Sequence, residues 1–302
     1  MIRLLSPPAV FWPTLLGLSF LAAGAMTYRR DVRTVAPREA FGLVTFGPAF
    51  VAAALAAFAG EHFTAAAGLA TLVPKWLPAP LFIAYFVGVA HLCAATSYVA
   101  RRYVQWSTIG LAVMFGLFVL LMDLPGAIAR PASLSWMLAA RQATFAVGAL
   151  ALFATETTWR SPDSSRSLAT IARVWIAVVL IGYGVQHVVH PEFAPGVPSS
   201  VLTAAWVPLP KLIAYATGFL LIAFGIGMFT RIQASAAAAS CGLLMVLLTL
   251  GLYVPQFFLA ATVQQRVTAI NFIFDTLLFA GTLLVASRAI RDAESLPLTA
   301  LP

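Results

Sequence analysis

The chain has 302 residues, of which 61% are hydrophobic and 9% are charged, and its formal net charge is +8. A soluble globular domain carries charges on about a quarter of its residues, so this composition excludes one and indicates an integral membrane protein. The basic residues lie in short clusters between apolar segments, which is typical of membrane topology signals and not of a nucleic-acid-binding surface.

Charge-poor segments of spanning length follow one another along the whole chain. A bilayer requires about 20 apolar residues per helix, and backbone groups in hydrocarbon must find their hydrogen bonds within the segment. The segments cover residues 9–28, 41–60, 79–100, 104–122, 134–155, 170–187, 210–230, 232–254 and 266–287. We therefore predict an all-α integral membrane protein with nine transmembrane helices.

The first segment also resembles a secretory signal, because Arg3 precedes the apolar run and Ala23-Gly24-Ala25 imitates a cleavage site. Arg29 and Arg30 follow the run directly and form a stop-transfer flank. This flank favours an uncleaved lead helix, so residues 1–40 are interpreted as a lead transmembrane helix with a basic loop.

The basic residues predict the orientation, since Lys and Arg in short loops are retained on the cytoplasmic side. With nine alternating spans, twelve of the 18 fall on one face and six on or near the other. The larger group is Arg29, Arg30, Arg33, Arg38, Arg101, Arg102, Arg160, Arg166, Arg173, Arg231, Arg288 and Arg291. We therefore expect a multi-pass protein of the inner (cytoplasmic) cell membrane with its N-terminus outside and its C-terminus in the cytoplasm.

An internal repeat relates the two halves of the chain. At an offset of 130 residues, the segment 76–88 matches the segment 206–218 at seven of thirteen positions, including Trp, Pro and Tyr. A loop five residues longer in the second copy brings Glu61-His62 onto Gln186-His187. Four helices per copy is an even number, so we predict two parallel four-helix repeats, 41–158 and 168–290, after the lead helix.

These motifs resemble the DoxX-like membrane proteins. The resemblance is carried by Glu61-His62-Phe63, by the Val-Pro-x-Trp-Leu-Pro loop at 73–78, and by Tyr85-Phe-Val-Gly88. It is also carried by 187–198 and 206–208 in the second copy. The acidic position of the family's Gly-x-x-Glu motif is His91 in the first copy and Leu221 in the second, so neither copy has the carboxylate at this position. The resemblance implies a membrane subunit of a quinone-linked oxidoreductase complex, as in the thiosulfate:quinone type.

Four side chains that can carry a charge or an amide lie deep inside predicted spans, namely His91, Arg141, Asn271 and Asp275. An ionisable side chain in hydrocarbon costs about 2.5–3.5 kcal/mol, so each should have a partner or a role. Asn271 and Asp275 lie on one face of the ninth helix, and the repeat places Arg141 at the depth of Asn271. We expect an Arg141–Asp275 pair. It is interpreted either as a structural pair that fixes helix register or as part of a substrate or proton site.

His62 and His187 lie at matched positions in the two repeats, and His91 lies midway along the third segment. Such imidazoles are candidate ligands for a quinone head group or, as a weaker candidate, for haem, with Glu61, His190 and Glu192 close in sequence. Interfacial histidines that only bond a loop carbonyl are the alternative. No cysteine accompanies them at metal-site spacing, so no metal site is predicted.

Three functions remain open at this point. The first is an accessory subunit in membrane redox chemistry, with a quinone site between the repeats and an oxidoreductase partner subunit. The second is a carrier or binder of a small solute or lipid that uses Arg141, Asn271 and Asp275. The third is a structural scaffold for membrane partners. Membrane lipids are expected to contact the chain in each case, and nucleic acid in none.

Overall fold

The computed structural model describes residues 7–34, 42–156, 161–196, 201–231 and 233–295. Arg3, Arg38 and Arg160 lie outside these residues. Within them the regular structure is helical apart from an isolated bridge between Phe193 and Leu202. Nine of the described helices are long and apolar enough to cross a membrane, which confirms the predicted all-α, multi-pass fold.

We label the spanning helices α1 to α9 in chain order. Their bounds are α1 Pro8–Thr34, α2 Gly47–Thr64, α3 Pro80–Ala100, α4 Val104–Ala129, α5 Ser133–Glu156, α6 Pro162–Val189, α7 Pro210–Phe229, α8 Ala234–Leu259 and α9 Val263–Ser295. A 3₁₀ turn, Gly42–Phe46, precedes α2, and a short helix, Ala66–Ala70, follows it. Helix α6 begins earlier than predicted because Ser161 and Ser164 form a capping box that extends it into the polar linker.

The two ends of the bundle differ in side-chain character. The loops that carry Trp76 and Trp206 connect α2 to α3 and α6 to α7, so both lie at one end, which we name the tryptophan end. Arg101 follows α3 directly and Arg231 lies two residues after the end of α7, so both lie at the other end, which we name the basic end.

Helices α2–α5, named here the first unit, and α6–α9, the second unit, share backbone irregularities at an offset of 130 residues. Left-handed backbone occurs at Ala79 and Leu209, at Arg101 and Arg231, and at Tyr103 and Gln233. Turns of π-helix interrupt α4 at Val119–Asp123 and α8 at Thr249–Tyr253. Each π turn is followed two residues later by a proline, whose missing N–H accounts for the irregular turn.

The first helix of each unit packs against a helix of the other unit. Helix α2 packs against α3 of its own unit and against α9 of the second unit, while α6 packs against α7 and against α5 of the first unit. Helix α9 also contacts α5, α6 and α8, and it is the most deeply buried helix. The lead helix α1 packs mainly along α2. Side chains of α9 are thereby brought next to residues of the first unit.

Candidate functional site

A partly enclosed cavity of about 220 Å³ lies in the first unit. Its walls come from α2, α3, α4, α5 and α9, and the loop between α2 and α3 covers it at the tryptophan end. The lining residues are Phe58, Glu61, His62, Leu69, Leu72, Val73, Ile83, Ala84, Val87, His91, Phe115, Phe118, Met122, Arg141, Gln142, Phe145, Asn271 and Asp275. Most of the polar side chains singled out in the sequence therefore meet in one place.

The ion pair expected from the repeat lies in this cavity. Arg141 Nη1 of α5 donates to Asp275 Oδ2 of α9 across 2.8 Å, and only 5% of the Asp275 side chain is exposed. The Arg141 side chain is 18% exposed, and the buried carboxylate is tolerated because the guanidinium compensates its charge. Arg141 Nε is also buried and has no hydrogen-bond partner. The pair thus joins the two units and leaves a donor at the cavity wall.

A second contact between the units was not predicted. Asn271 Nδ2 donates to Glu61 Oε2 across 3.1 Å, while Glu61 Oε1 is buried without a partner. Glu61, Asn271 and Leu69 also line a neighbouring cavity of about 260 Å³ between α1, α2 and α9. The Glu61–Asn271 bond therefore lies where two cavities meet.

His62 and His91 are in direct contact. Their ring centroids are 5.3 Å apart, and the ring planes stand edge to face at 73°. His62 Nδ1 lies 2.8 Å from the carbonyl oxygen of Phe58, and because a carbonyl only accepts, this nitrogen donates. Both ring nitrogens of His91 are buried and have no hydrogen-bond partner. His91 therefore borders the cavity with no protein partner for either ring nitrogen.

The geometry of antiparallel helices explains this contact. Side chains lean toward the N-terminus of their own helix. His62 lies near the C-terminal end of α2 and leans toward the basic end, whereas His91 on α3 leans toward the tryptophan end. The two imidazoles therefore lie closer in depth than the positions of His62 and His91 along their helices suggest.

Aromatic rings form an apolar part of the cavity wall. Phe115 lies 5.9 Å from His91 and 5.6 Å from Phe145, and Phe58 lies 6.2 Å from His91, all between ring centroids. Gln142, one residue after Arg141, adds an amide that was not predicted to be a site residue. Imidazole, amide and guanidinium donors thus face a space bordered by flat apolar surfaces.

The structure does not bring His187 to this cavity. His187 is fully buried, and its Nε2 lies 2.7 Å from the carbonyl oxygen of Gly196, to which it donates. It holds the loop between α6 and α7 and so takes the structural role given above as the alternative. The predicted symmetric pair of imidazoles from His62 and His187 is therefore replaced by His62 and His91.

The remaining candidates near His187 lie in the same loop. His190 Nδ1 is 3.1 Å from Glu192 Oε1, and both side chains are exposed. The backbone N–H of Glu192, and then the His190 side chain, hold the pKa of the Glu192 carboxyl below its usual range. This pair belongs to the tryptophan end and not to the cavity.

The cavity fits an organic ring better than a haem or a metal ion. His62 and His91 touch each other, so a porphyrin plane has no room between the two imidazoles. Among the residues that the structure describes, no group of three His, Cys, Asp or Glu side chains is placed to hold a metal ion. Unpartnered donors beside aromatic walls match a planar molecule with carbonyl acceptors.

Comparison of the chain with protein-family models, with curated proteins and with solved structures returned no match. The similarity to DoxX-like proteins therefore rests on the motifs quoted from the sequence.

Proposed function

We propose that this protein binds the head group of a membrane quinone in the cavity of the first unit and serves as an accessory subunit in membrane redox chemistry. The observation that carries the proposal is the His91 imidazole, buried among the Phe58, Phe115 and His62 rings with both nitrogens unpartnered. Leaving a buried polar group unsatisfied costs about 1–3 kcal/mol, and a bound acceptor removes that cost for the N–H of the imidazole.

The quinone ring matches the walls in shape and polarity. Its faces are flat and apolar and pack against the phenylalanine rings, while its carbonyl oxygens accept from His91, Gln142 or Arg141 Nε. An offset or edge-to-face aromatic contact contributes about 0.5–1.5 kcal/mol. The isoprenoid tail passes along the apolar side chains of Ile83, Val87 and Leu72 toward the lipid.

The accessory role follows from the resemblance to DoxX-like proteins. The resemblance supports an oxidoreductase partner subunit that exchanges electrons with the bound quinone. His91 occupies the position of that family's acidic residue, so in this chain an imidazole provides the polar group there. We place the basic end in the cytoplasm by the distribution of arginines, so the cavity lies toward the outer leaflet.

Calorimetric titration of the purified protein with a short-chain benzoquinone and a short-chain naphthoquinone tests this proposal. The variant His91→Leu introduces the residue found at the equivalent place in the second unit, Leu221. We expect it to weaken quinone binding about tenfold, equivalent to about 1.4 kcal/mol. His187→Leu is the matched control and should bind as the native chain does. Unchanged affinity in His91→Leu, or equal losses in both variants, would contradict the proposal.

The cavity between α1, α2 and α9 favours a second candidate, a carrier of a small solute. It shares Glu61 and Asn271 with the first cavity, so the two cavities meet at a polar contact. Counterflow of a labelled solute in proteoliposomes, abolished by Asn271→Leu, would support this candidate. Quinone binding without counterflow would favour the first.

A further inference from the structure

The first helices of the two units are covered differently. Helix α1 lies directly on α2, where Ala49, Ala53 and Ala57 have no exposed surface. A Cβ added at Gly60 would come within 2.8 Å of the Pro13 Cα, so the two backbones touch there. Small residues allow this close approach, as is usual between membrane helices.

The equivalent face of α6 carries no such helix in the described part of the chain. At the offset of 125 residues that aligns α2 with α6, Val174, Val178 and Val185 replace Ala49, Ala53 and Gly60. All three valines are exposed, as is Ile171 one turn nearer the basic end; Val178 is 53% exposed, where Ala53 is 0%. These side chains form a continuous apolar stripe along α6.

The lead helix also completes the end of α3. Tyr28 Oη donates to the carbonyl oxygen of Tyr98 across 3.0 Å, and Thr27 Oγ1 donates to that of Val99 across 3.2 Å. These carbonyls belong to the last turn of α3, and the Tyr98 oxygen also accepts from the backbone N–H of Arg101 across 3.3 Å. The guanidinium of Arg101 lies 5.2 Å from the centre of the Tyr28 ring.

An arginine bonds the equivalent helix-end carbonyls in the second unit. Arg173 Nη1 donates to the carbonyl oxygens of Met228 and Phe229 across 2.7 and 3.0 Å. These two carbonyls are the counterparts of Tyr98 and Val99 at the 130-residue offset. The C-terminal part of α1 therefore bonds these carbonyls in the first unit, and the buried guanidinium of Arg173 bonds them in the second.

A cavity of about 330 Å³ lies beside that guanidinium at the basic end. Its charged lining residues are Arg166, Arg173, Arg231 and Glu294, and Arg166 is also paired with the exposed Asp163 across 3.5 Å, so three guanidinium groups stand against two carboxylates. Arg231 is the counterpart of Arg101 and lines this cavity, whereas Arg101 lies over Tyr28. The excess of positive charge at the end of an apolar stripe indicates an anionic amphiphile.

We propose that this cavity binds the phosphate group of an anionic phospholipid whose acyl chains lie along the α6 stripe, in the place that α1 occupies on α2. Guanidinium groups bind phosphate through paired, charge-assisted hydrogen bonds. Basic cavities between helix ends lie at the depth of lipid head groups and attract anionic lipids. The charge of the cavity and the adjoining apolar stripe favour a lipid over a protein helix. A protein helix in this place would need an acidic end to match the cavity.

Native mass spectrometry tests the charge requirement. The purified chain is exposed to equal amounts of phosphatidylglycerol and phosphatidylcholine, and we expect retained phosphatidylglycerol to dominate. Arg166→Gln/Arg231→Gln should reduce its retention at least fivefold, with Arg173 left in place because it caps α7. Arg29→Gln/Arg102→Gln removes the same charge at the same end outside the cavity and should retain lipid like the native chain. Equal retention of both lipids, or equal losses in the two double variants, would overturn the proposal.

Photocrosslinking identifies the occupant of the stripe. A benzophenone side chain introduced at position 171 in native membranes should give an adduct with the mass of a phospholipid. An adduct with another protein would show that a partner helix covers α6 and would overturn the lipid assignment. So would tight binding of inorganic phosphate by the lipid-free chain. None of these readouts depends on quinone binding.

Discussion

The two units have the same helices and differ in what fills the space between them. In the first unit His91 borders a cavity, with Phe115 and Met122 from α4 beside it. The counterpart of His91 is Leu221, buried in the main core, and that of Met122 is Leu252. Leu252 packs in a small apolar cluster with Ala194 and Val207 from the loop between α6 and α7. One unit therefore contains a polar site and the other a packed core.

The loop between the first and second helices of each unit produces much of this difference. In the second unit it is five residues longer, and it places Gly196 against His187. Gly196 has a φ of +126°, and a Cβ there would lie 3.2 Å from Tyr253 Oη, so the position suits glycine on both counts. Tyr253 Oη in turn donates to the carbonyl oxygen of Pro195 across 2.8 Å. His62 contacts His91 in the first unit, whereas its counterpart in the second unit, His187, holds a loop.

The second unit nevertheless contributes to the site, because α9 supplies Asn271 and Asp275. Their partners, Glu61 and Arg141, lie on the two helices of the first unit that contact α9. The two units thus divide their roles, since one forms the cavity and the other braces it.

Removing the charge of Asp275 should give the largest effect. Asp275→Leu leaves Arg141 buried without compensation, and we expect a loss of about 3–5 kcal/mol in the free energy of unfolding. The double variant Arg141→Leu/Asp275→Leu should recover most of it. Denaturation of the purified variants measures both values, and a single variant as stable as the native chain would show that the pair does not brace the two units.

Exchanging His91 and Leu221 tests the division of roles directly. Leu221→His buries an imidazole in the packed unit and should cost about 1–3 kcal/mol, since no partner awaits it. His91→Leu should leave stability unchanged or raise it, because it removes unpartnered nitrogens. Thermal denaturation of both variants checks this asymmetry, and equal losses from the two changes would refute it.

Two matched substitutions test whether α2 is covered by α1 while the equivalent face of α6 is exposed. Gly60→Val should push α1 away from α2 and cost about 1–3 kcal/mol through overpacking. Val185→Ala at the equivalent, exposed position should change stability by no more than about 0.5 kcal/mol. Denaturation curves give both values, and a similar response at the two positions would argue against the difference in covering.

The smallest effect is expected at the loop of the second unit. His187→Leu removes the donor to the Gly196 carbonyl and should cost about 0.5–1.5 kcal/mol. Limited proteolysis should then cut the loop between α6 and α7 faster, while the loop between α2 and α3 is cut at its native rate. Faster cutting of both loops would indicate general unfolding and not the loss of this contact.

Some of this arrangement could be predicted from the sequence. Charge-poor segments between basic clusters predicted the spans, and the repeat register placed Arg141 near Asp275. The contact between His62 and His91 could not be predicted, because it depends on how side chains lean on antiparallel helices. The separation of His187 from the site was also missed, although the five extra residues of its loop were visible. Their packing depends on contacts with Leu252 and Tyr253, which are distant along the chain.

The most direct test of the central claim is mass spectrometry of the organic extract from protein purified in mild detergent. We predict a near-stoichiometric quinone in the native chain and in His187→Leu, and its loss in His91→Leu. Equal quinone content in all three proteins would contradict a quinone site in the first unit.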